Sequence, residues 1–258
     1  MTSSPNFGSV AETYARLRPG YPPAVFDDLV TLSGIPDDGS ILEIGPATGQ
    51  ATLPLARRGY RITAVDSDEA LVAEARRGLA DFPDVDLHVS RFEDWPLPPQ
   101  PFDLVLSATA FHWIDPAVRY VKAASALKRG GSLAVIHTYH VKGGTDGFFD
   151  DVQSCYDEFM PADAPPRELR DAAAIAPSTT AYEVSGLFTA TDSRRYVWSQ
   201  SYTTPVYTEL LSTYSDHIAL SEDKRTALLN CVASLIDTRY EGNISKQHLT
   251  ELVVAHKR

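Results

Sequence analysis

The sequence predicts an α/β protein with a Rossmann-like, doubly wound sheet, and two observations lead to this fold class. From Ser40 onward, short apolar runs alternate with helical segments, which is the order of elements found in parallel sheets with right-handed crossovers. Residues 41–50, ILEIGPATGQ, form an apolar strand that runs through a turn of small residues into a helix-forming segment, residues 51–57. We interpret the rest of the chain around this strand, turn and helix.

The order of the elements follows from the apolar periodicity and from the turn residues between the periodic runs. Residues 10–17 and 23–32 have helical periodicity and are separated by Pro19, Gly20 and Pro22. The central part predicts, in order, strand 40–45, helix 49–58, strand 61–66, helix 68–79, strand 85–90, strand 102–108, helix 115–128 and strand 132–139. Beyond residue 141 the pattern predicts helix 146–160, strand 188–202, helix 205–214, helix 221–240 and strand 249–255.

The turn after the first strand predicts a binding site for a small molecule. Where a strand enters a helix through glycine and other small residues, free backbone N–H groups converge and a ligand can approach the backbone closely. Asp66 ends the second strand, about 20 residues after this turn, where a neighbouring parallel strand presents an acid to a ribose. Together the two features indicate a nucleoside-containing cofactor.

The identity of the cofactor depends on how this turn differs from the dinucleotide-binding pattern. The pattern G-x-G-x-x-G, read from Gly45, requires glycine at positions 47 and 50, where the chain has Ala47 and Gln50. Glu43 lies inside the strand, two residues before Gly45, where a carboxylate can order polar groups of the backbone and of a ligand. The E-x-G-x-x-x-G run with a later acid resembles motifs I and II of the class I S-adenosylmethionine-dependent methyltransferases.

This resemblance implies S-adenosylmethionine as the cofactor and S-adenosylhomocysteine as the product. It also implies cofactor-binding roles for the turn, for the acid at the end of the second strand and for their neighbours, namely Glu43, Gly45, Pro46, Ala47, Gly49, Gln50, Asp66 and Ser67. A strand, turn and helix with no ligand is the alternative interpretation of the same residues.

Two further segments at strand ends resemble parts of this family. SRFEDWP follows the third strand, and its counterpart in the family holds the adenine, which makes Phe92 and Glu93 candidates for that role. Residues 102–116 contain F-D-L-V and then A-F-H-W-x-D-P, which is similar to trans-aconitate methyltransferase and to the malonyl-carrier-protein methyltransferase of biotin synthesis. By this resemblance, backbone groups of Ser107 and Ala108 contact the methionine end of the cofactor.

The N-terminal run Y-x-x-x-R-P-x-Y-P adds two candidates. A similar run folds over the cofactor in small-molecule methyltransferases of this type, which implies a role for Tyr14 and Arg18. The guanidinium of Arg18 suits the carboxylate of the methionine part, because it forms two parallel hydrogen bonds. Alternatively, Arg18 is a surface side chain that packs along Tyr14.

The chain places three histidines near the expected binding edge of the sheet. His112 follows the fourth strand, where we expect it to line the transfer site as a pocket wall or to act as a general base. The alternative is that His112 and Trp113 begin a helix and pack under the loop. His137 and His140 end the fifth strand, match no motif and are interpreted as ordinary polar residues.

The resemblance also implies the overall architecture. We expect one methyltransferase domain over residues 1–258, with a seven-stranded sheet whose last strand is antiparallel. Within it we expect an N-terminal helical cap over residues 1–34 and a cofactor-binding core over residues 35–140. The remainder, residues 141–258, is expected to complete the sheet and to carry a helical lid inserted near residues 204–240.

Composition limits the partners and the compartment. The net charge of −11 leaves no basic surplus to neutralise phosphates, so we expect no nucleic-acid partner. No apolar run reaches the ~20 residues that cross a bilayer, and the polar start resembles no signal peptide. Two cysteines, Cys155 and Cys231, are too few for a disulfide framework. We therefore predict a cytoplasmic protein with reduced thiols, no membrane contact and no metal site.

The predicted function is methyl transfer from S-adenosylmethionine to a small-molecule acceptor, whose nucleophile is a carboxylate, a hydroxyl or an acidic carbon. A non-catalytic module that binds S-adenosylmethionine is one alternative. A nicotinamide-dependent oxidoreductase is the other, and the missing glycines oppose it. The acceptor, the methylated atom and the oligomeric state stay open.

Overall fold

Seven strands form one sheet in the computed structural model, which describes residues 8–161, 168–178 and 185–258. They are β1 (Ser40–Ile44), β2 (Arg61–Asp66), β3 (Val85–Val89), β4 (Phe102–Ala108), β5 (Leu127–Gly144), β6 (Phe188–Thr203) and β7 (Asn243–Lys257). Their order across the sheet is β3-β2-β1-β4-β5-β7-β6.

The first five strands are parallel, and the strand order reverses between β1 and β4. β1 pairs in parallel with both β2 and β4, while β3 pairs with β2 and β5 pairs with β4. Crossovers that leave β1 in opposite directions create a crevice at the carboxyl ends of these two strands, and ligands of doubly wound sheets bind there. The predicted fold class is thereby confirmed.

The last strand is antiparallel to its neighbour β6. The backbone N–H of Thr204 bonds to the carbonyl of Gly242, and the N–H of Arg258 bonds to the carbonyl of Leu187. The end of each strand therefore lies beside the start of the other. This arrangement confirms the predicted antiparallel seventh strand.

The described residues contain the following helices, given in chain order. They are α1 (Ala11–Leu17), α2 (Pro23–Ser33), α3 (Thr52–Ala56), α4 (Glu69–Gly78), α5 (Arg119–Ala126), α6 (Asp146–Asp151), α7 (Gln153–Phe159), α8 (Thr204–Leu211), α9 (Ser215–Ile218) and α10 (Glu222–Arg239). Single 3₁₀ turns cover Gly8–Val10, Phe111–Trp113 and Ala172–Ala174. Two of the helix ends follow directly from sequence: α4 is capped by the carboxylate of Asp68, and α2 ends at Gly34, which takes the left-handed conformation.

Some boundaries differ from the prediction for local reasons. The helix predicted from residue 49 starts only at Thr52, because Ala47 and Gly49 have positive φ and keep the preceding residues in turns. The helix predicted over 146–160 is divided into α6 and α7, and that over 205–214 ends at Leu211. β5 starts earlier than predicted, at Leu127, and its pairing with β4 shifts register between Phe102 and Leu104.

The described residues form two compact units. The helical unit comprises residues 8–18, 139–161, 168–176 and 197–249, and it contains α1 and α6 to α10. The core unit comprises residues 19–138, 177–178, 185–196 and 250–258. The predicted division into a cap, a cofactor core and a remainder with a lid stays a prediction.

Both faces of the sheet are buried in the core unit. Successive residues of one strand belong to different hydrophobic clusters: Ile41 packs on one face and Leu42 on the other, and Leu104 and Val105 divide in the same way. Because adjacent side chains of a strand point to opposite faces, helices must cover both sides of the sheet. This explains the continuous apolar runs in the sequence.

The helical unit contains a disulfide bond between Cys155 of α7 and Cys231 of α10. The two helices pack against each other and bring the Cα atoms of the cysteines to 5.9 Å, within the range that a disulfide spans. The prediction of reduced thiols is therefore wrong, because helix packing joins two residues that lie far apart in sequence. The cytoplasmic location loses this support and stays a prediction.

Within the described ranges, no helix has the length and apolar character needed to cross a membrane.

Candidate functional site

The loop from β1 to α3 has three residues with positive φ in close succession. They are Gly45 (φ 72°), Ala47 (φ 49°) and Gly49 (φ 94°). The N–H of Gly45 bonds to the carbonyl of Val65, and the N–H of Gly49 bonds to that of Pro46. The loop is therefore a tight, hydrogen-bonded turn at the carboxyl end of β1. Gln50, at its end, donates from its side-chain amide to Thr48 Oγ1 at 2.7 Å.

Gly45 is closely approached by the segment that follows β4. A Cβ atom at this position would lie 2.4 Å from the Cβ of Ala110. Together with the positive φ, this distance leaves room for glycine alone. The sequence predicted that a ligand requires this glycine, and the structure adds the neighbouring chain as a reason.

Asp66 joins the ends of β1 and β2. Its Oδ2 accepts a hydrogen bond from the N–H of Ala47 at 3.1 Å, and its Oδ1 accepts one from the N–H of Asp68 at 3.0 Å. Burial raises the pKa of Asp66 and outweighs these hydrogen bonds, which favour the charged form. The carboxylate thus holds the glycine-containing loop against the end of β2. Ser67, the next residue, is exposed.

Glu43 is a fully buried acid with no hydrogen-bond partner for either carboxylate oxygen among the described residues. Burial raises the pKa of Glu43 to about 7; the nearby hydroxyl of Thr52 opposes this effect and the charge of Asp66 adds to it. A buried carboxylate without a donor costs free energy, which a polar ligand at the loop would recover. Glu43 is therefore the observation that best fits a ligand with hydrogen-bond donors.

The exit of β4 forms the other side of the crevice. Ser107 is fully buried, and its hydroxyl donates to the carbonyl of Ile44 at 2.9 Å, which ties β4 to the end of β1. Ala108 is half-buried and is followed by Thr109, which has a φ of 58°. The Oγ1 of Thr109 lies 3.0 Å from the hydroxyl of Tyr21. Ser107 thus stabilises the strand ends, and its backbone continues into a strained turn.

The segment after β3 contains the two candidates for adenine binding, the buried Phe92 and the half-buried Glu93. The ring of Phe92 is buried in the hydrophobic cluster that includes Val65. Glu93 accepts from the N–H of Asp115 at 3.1 Å and forms an ion pair with Arg91. Partial burial acts to raise the pKa of Glu93, but these hydrogen bonds and the Arg91 charge outweigh it and lower that pKa.

His112 lies in the 3₁₀ turn after β4, with its ring 4.9 Å from that of Trp113. Both side chains are exposed, and Trp113 retains 49% of its accessible surface. Partial burial lowers the pKa of His112, and the charge of Arg119 lowers it further. His112 is therefore neutral at pH 7 and its imidazole can accept a proton.

Charged and titratable groups link His112 to His137, Arg119 and Glu251. The sequence singled out His137 but not Arg119 or Glu251. The pKa of His137 is lowered, mainly by burial. The charge of Glu251 opposes this effect, whereas His112 and Arg119 add to it. Glu251 is fully buried; its Oε2 accepts from the N–H of Ser178, and its Oε1 has no hydrogen-bond partner in the described part of the chain. No sequence motif marks Arg119 or Glu251, since they come from α5 and β7.

Tyr14 and Arg18 belong to the helical unit. The guanidinium of Arg18 donates to Thr213 Oγ1 at 2.9 Å and to the carbonyl of Thr213 at 2.8 Å. Its carbon atom lies 4.8 Å from the ring centre of Tyr14 and 4.4 Å from that of Tyr214. Arg18 therefore has polar and aromatic partners within its own unit, and its role toward a cofactor stays a prediction.

The structure brings most of the predicted cofactor residues together at one edge of the sheet. The loop after β1, Asp66, Glu43 and the end of β4 all lie at the carboxyl ends of strands on both sides of the reversal in strand order. No group of histidine, cysteine and acidic residues in the described ranges has the arrangement of a metal site.

The doubly wound sheet, with a glycine-containing loop at the carboxyl end of β1, is a Rossmann-like fold of the kind found in class I S-adenosylmethionine-dependent methyltransferases. Comparison with known proteins supports this class. Residues 41–131 match the family model described as "Methyltransferase domain". Domains of this family use S-adenosylmethionine as methyl donor, which agrees with the predicted cofactor.

One relative and two solved structures are similar to this chain. An uncharacterized methyltransferase of Mycobacterium tuberculosis is 34% identical over 131 residues, which cover 51% of each chain. A putative type II methyltransferase from Anaeromyxobacter dehalogenans has a TM-score of 0.63 at 23% identity, covering 93% of this chain and 97% of that one. A phosphoethanolamine N-methyltransferase from Haemonchus contortus, solved with phosphomonomethylethanolamine and S-adenosylhomocysteine, has a TM-score of 0.53 at 17% identity, covering 97% and 57%. The chain spans about half the length of the curated relatives it matches.

Proposed function

We propose that the protein transfers a methyl group from S-adenosylmethionine to a small-molecule acceptor. The observation that carries this proposal is the strained loop from Gly45 to Gly49, fastened to Asp66 and placed beside the unpartnered carboxylate of Glu43. A ligand with ribose hydroxyls and an ammonium or amide donor complements this arrangement of acids and free backbone.

We assign the cofactor-binding residues the roles that the family resemblance implies. Asp66 accepts hydrogen bonds from the ribose hydroxyls, and the loop after β1 with Ser67 contacts the adenosyl part. Phe92 and Glu93 hold the adenine, while backbone groups of Ser107 and Ala108 contact the methionine end. When bound, S-adenosylmethionine supplies a methyl group that is already activated by its positive sulfur.

The protein's part in the reaction is alignment and exclusion of water. The nucleophile, the methyl carbon and the sulfur must lie in line, and a closed pocket protects the reaction from solvent. A carboxylate nucleophile needs no base, whereas a hydroxyl or an acidic carbon must lose a proton. His112 is neutral at pH 7 because of its lowered pKa, and it serves as that base or, for a carboxylate, as a wall of the pocket.

Two observations support a small acceptor. The net charge of −11 opposes binding of nucleic acid. The Haemonchus enzyme, which shares the fold, was solved with phosphomonomethylethanolamine, a small molecule.

Calorimetry followed by a turnover assay tests the proposal. We expect the purified protein to bind S-adenosylmethionine and S-adenosylhomocysteine and not NAD. With S-adenosylmethionine and a metabolite extract, S-adenosylhomocysteine should then accumulate with time. Tight binding without any accumulation in fractionated extracts would indicate the non-catalytic binding module, and binding of NAD alone would refute the proposal.

A further inference from the structure

The helical unit contains a basic cluster on one face of three neighbouring strands. The cluster consists of His140 from β5, Lys246 and His248 from β7, and Tyr202 from β6. β7 lies between β5 and β6 in the sheet, and residues two apart on a strand share a face. Four polar side chains from distant parts of the sequence are thereby placed together.

Aromatic rings surround the imidazoles of this cluster. The His140 and His248 rings are 6.1 Å apart between centres. His248 stacks on Trp198 at 4.7 Å, and His140 meets the edge of Phe149 at 4.4 Å. The polar atoms therefore lie among hydrophobic groups rather than in water.

Three polar atoms of the cluster have no hydrogen-bond partner among the described residues. They are Nε2 of His140, Nε2 of His248 and the hydroxyl of Tyr202, and all three atoms are buried. His248 retains 5% and Tyr202 3% of its accessible surface. Buried polar atoms of folded proteins nearly always have a partner, so three in one place indicate a ligand.

The cluster also contains a buried ammonium group. Lys246 retains 5% of its accessible surface, and its Nζ donates to the hydroxyl of Tyr214 at 3.0 Å. In the described part of the chain no carboxylate pairs with Lys246. The other cation beside the Tyr214 ring is Arg18, whose hydrogen bonds go to Thr213. A buried ammonium is costly unless an anion accompanies it.

The charge of Lys246 contributes to the pKa shifts of His140, His248 and Tyr214. Burial, followed by the charge of Lys246, lowers the pKa of His140 to about 2 and that of His248 to about 3. Both imidazoles are neutral at pH 7, so each can present an N–H at Nε2. Burial acts to raise the pKa of Tyr214, but Lys246 and Arg18 outweigh it and lower that pKa.

We propose that this cluster binds the carboxylate group of a small-molecule ligand. Lys246 provides the charge, and the neutral side chains of His140, His248 and Tyr202 provide hydrogen-bond donors. The single negative charge of a carboxylate matches the single positive charge of buried Lys246. A phosphate dianion carries a second negative charge, for which the cluster offers no buried cation. The rings of Trp198 and Phe149 provide apolar walls for the rest of the ligand. This inference does not depend on methyl transfer or on the cofactor.

NMR of the histidine-labelled full chain, without S-adenosylmethionine, tests this site. Sodium acetate, sodium benzoate and inorganic phosphate are titrated at pH 7 and constant ionic strength, because exposed charges respond to salt alone. We expect saturable shifts of the His140 and His248 imidazole signals with at least one of the two carboxylates. Phosphate should bind more weakly than that carboxylate.

Two variants and a matched control separate a site from a general charge effect. Lys246→Met should weaken the carboxylate affinity by at least about tenfold, the size expected for a lost charged hydrogen bond. Lys142→Met removes the same charge from an exposed side chain of β5 and should leave the affinity unchanged. Tyr202→Phe keeps the ring, and we expect a weaker but measurable loss of affinity.

Three results would overturn the proposal. They are the absence of saturable shifts with both carboxylates, an affinity for phosphate equal to that for the carboxylate, and equal affinities in Lys246→Met and Lys142→Met. If Lys246→Met does not fold, Tyr202→Phe decides, and unchanged affinity in that variant refutes the site. Since no cofactor is present, failure here leaves the proposed methyltransferase activity untouched.

Discussion

The backbone N–H of Ala47 donates a 3.1 Å hydrogen bond to Oδ2 of Asp66. This contact joins the strained loop after β1 to the end of β2, so the carboxylate shapes the loop. The loop is therefore held in place before any ligand arrives, which lowers the ordering cost of binding.

Asp66→Asn should weaken the binding of S-adenosylhomocysteine by about tenfold or more, since a charged hydrogen bond contributes about 1.5–3 kcal/mol. Calorimetry measures the affinity. The control is Asp103→Asn, because Asp103 also accepts a backbone hydrogen bond, from Ser40, but at the opposite end of the parallel strands. Asp103→Asn should reduce stability and leave affinity intact; equal losses of affinity in both variants would contradict the role of Asp66.

Glu43→Gln should stabilise the free protein at alkaline pH. The pKa of Glu43 is 4.5 in the unfolded state and about 7 in the folded state. The stability of the wild type therefore falls as the pH rises from 4.5 to about 7. The shift corresponds to about 3 kcal/mol. We expect the two proteins to have similar unfolding free energies in urea at pH 4, and the variant to be more stable at pH 8.

The exposed substitution Glu158→Gln is the control for this comparison. If the difference between Glu43→Gln and the wild type does not change with pH, the raised pKa of Glu43 is refuted. Glu43→Gln should also lose affinity for S-adenosylhomocysteine, because an amide is a weaker acceptor than a carboxylate.

Gly45→Ala should destabilise the protein more than Gly59→Ala does. Both glycines have positive φ, at 72° and 86°, so both substitutions introduce backbone strain of roughly 1–2 kcal/mol. Only at Gly45 does the new Cβ meet another atom, that of Ala110, whereas nothing lies within 4 Å at Gly59. Unfolding free energies should differ by at least ~1 kcal/mol. Adding Ala110→Gly to Gly45→Ala should recover this difference, and a failure to recover it would mean that the clash is not its cause.

Replacement of both Cys155 and Cys231 by alanine should lower stability by about 4 kcal/mol in the chain-entropy treatment of a loop of this length. The bond joins residues that are 76 positions apart, so it strongly restricts the unfolded chain. Chemical denaturation without reductant measures the loss, which should become much smaller when dithiothreitol is added to both proteins. Alkylation and intact mass give an independent check, and two free thiols in the oxidised protein would contradict the disulfide.

His112→Ala should lower kcat by at least about a hundredfold if the acceptor is a hydroxyl or an acidic carbon, because a general base contributes typically 10²–10⁴ in rate. Burial and Arg119 lower the pKa of His112, so the acidic limb of kcat/KM should lie below 6.5 and disappear in the variant. Trp113→Phe, which changes the stacked neighbour, should keep the limb. Wild-type turnover by His112→Ala would leave the residue without a catalytic role.

Local sequence patterns predicted the strands, the turn and the acid at the carboxyl ends of β1 and β2. The alternation of strands and helices, the turn at Gly45 and the acid at Asp66 are all contained within short segments, and their geometry follows from backbone preferences. The approach of Ala110 to Gly45 could not be predicted, because it depends on the register between β1 and β4.

Buried polar residues made the start of β7 and the Lys246 cluster unpredictable from the sequence. The prediction for β7 began only at residue 249, because Lys246 and His248 interrupt the apolar pattern that identifies a strand, although both are buried. The same polarity concealed the Lys246 cluster, whose members share no motif. The Cys155–Cys231 bond was missed because sequence spacing does not report the packing of α7 on α10.

The position of β7 between β5 and β6 has a consequence for synthesis on the ribosome. Among the strands that the structure describes, β6 lies at the edge of the sheet and has β7 as its one neighbour. The parallel strands up to β5 can pair as they emerge, whereas residues 188–203 wait for residues 243–257 before they gain any ladder partner. During that interval β5 and β6 each present an open edge, and such edges favour association with other chains. The nascent protein is therefore most exposed to aggregation after residues 188–203 have emerged and before residues 243–257 follow.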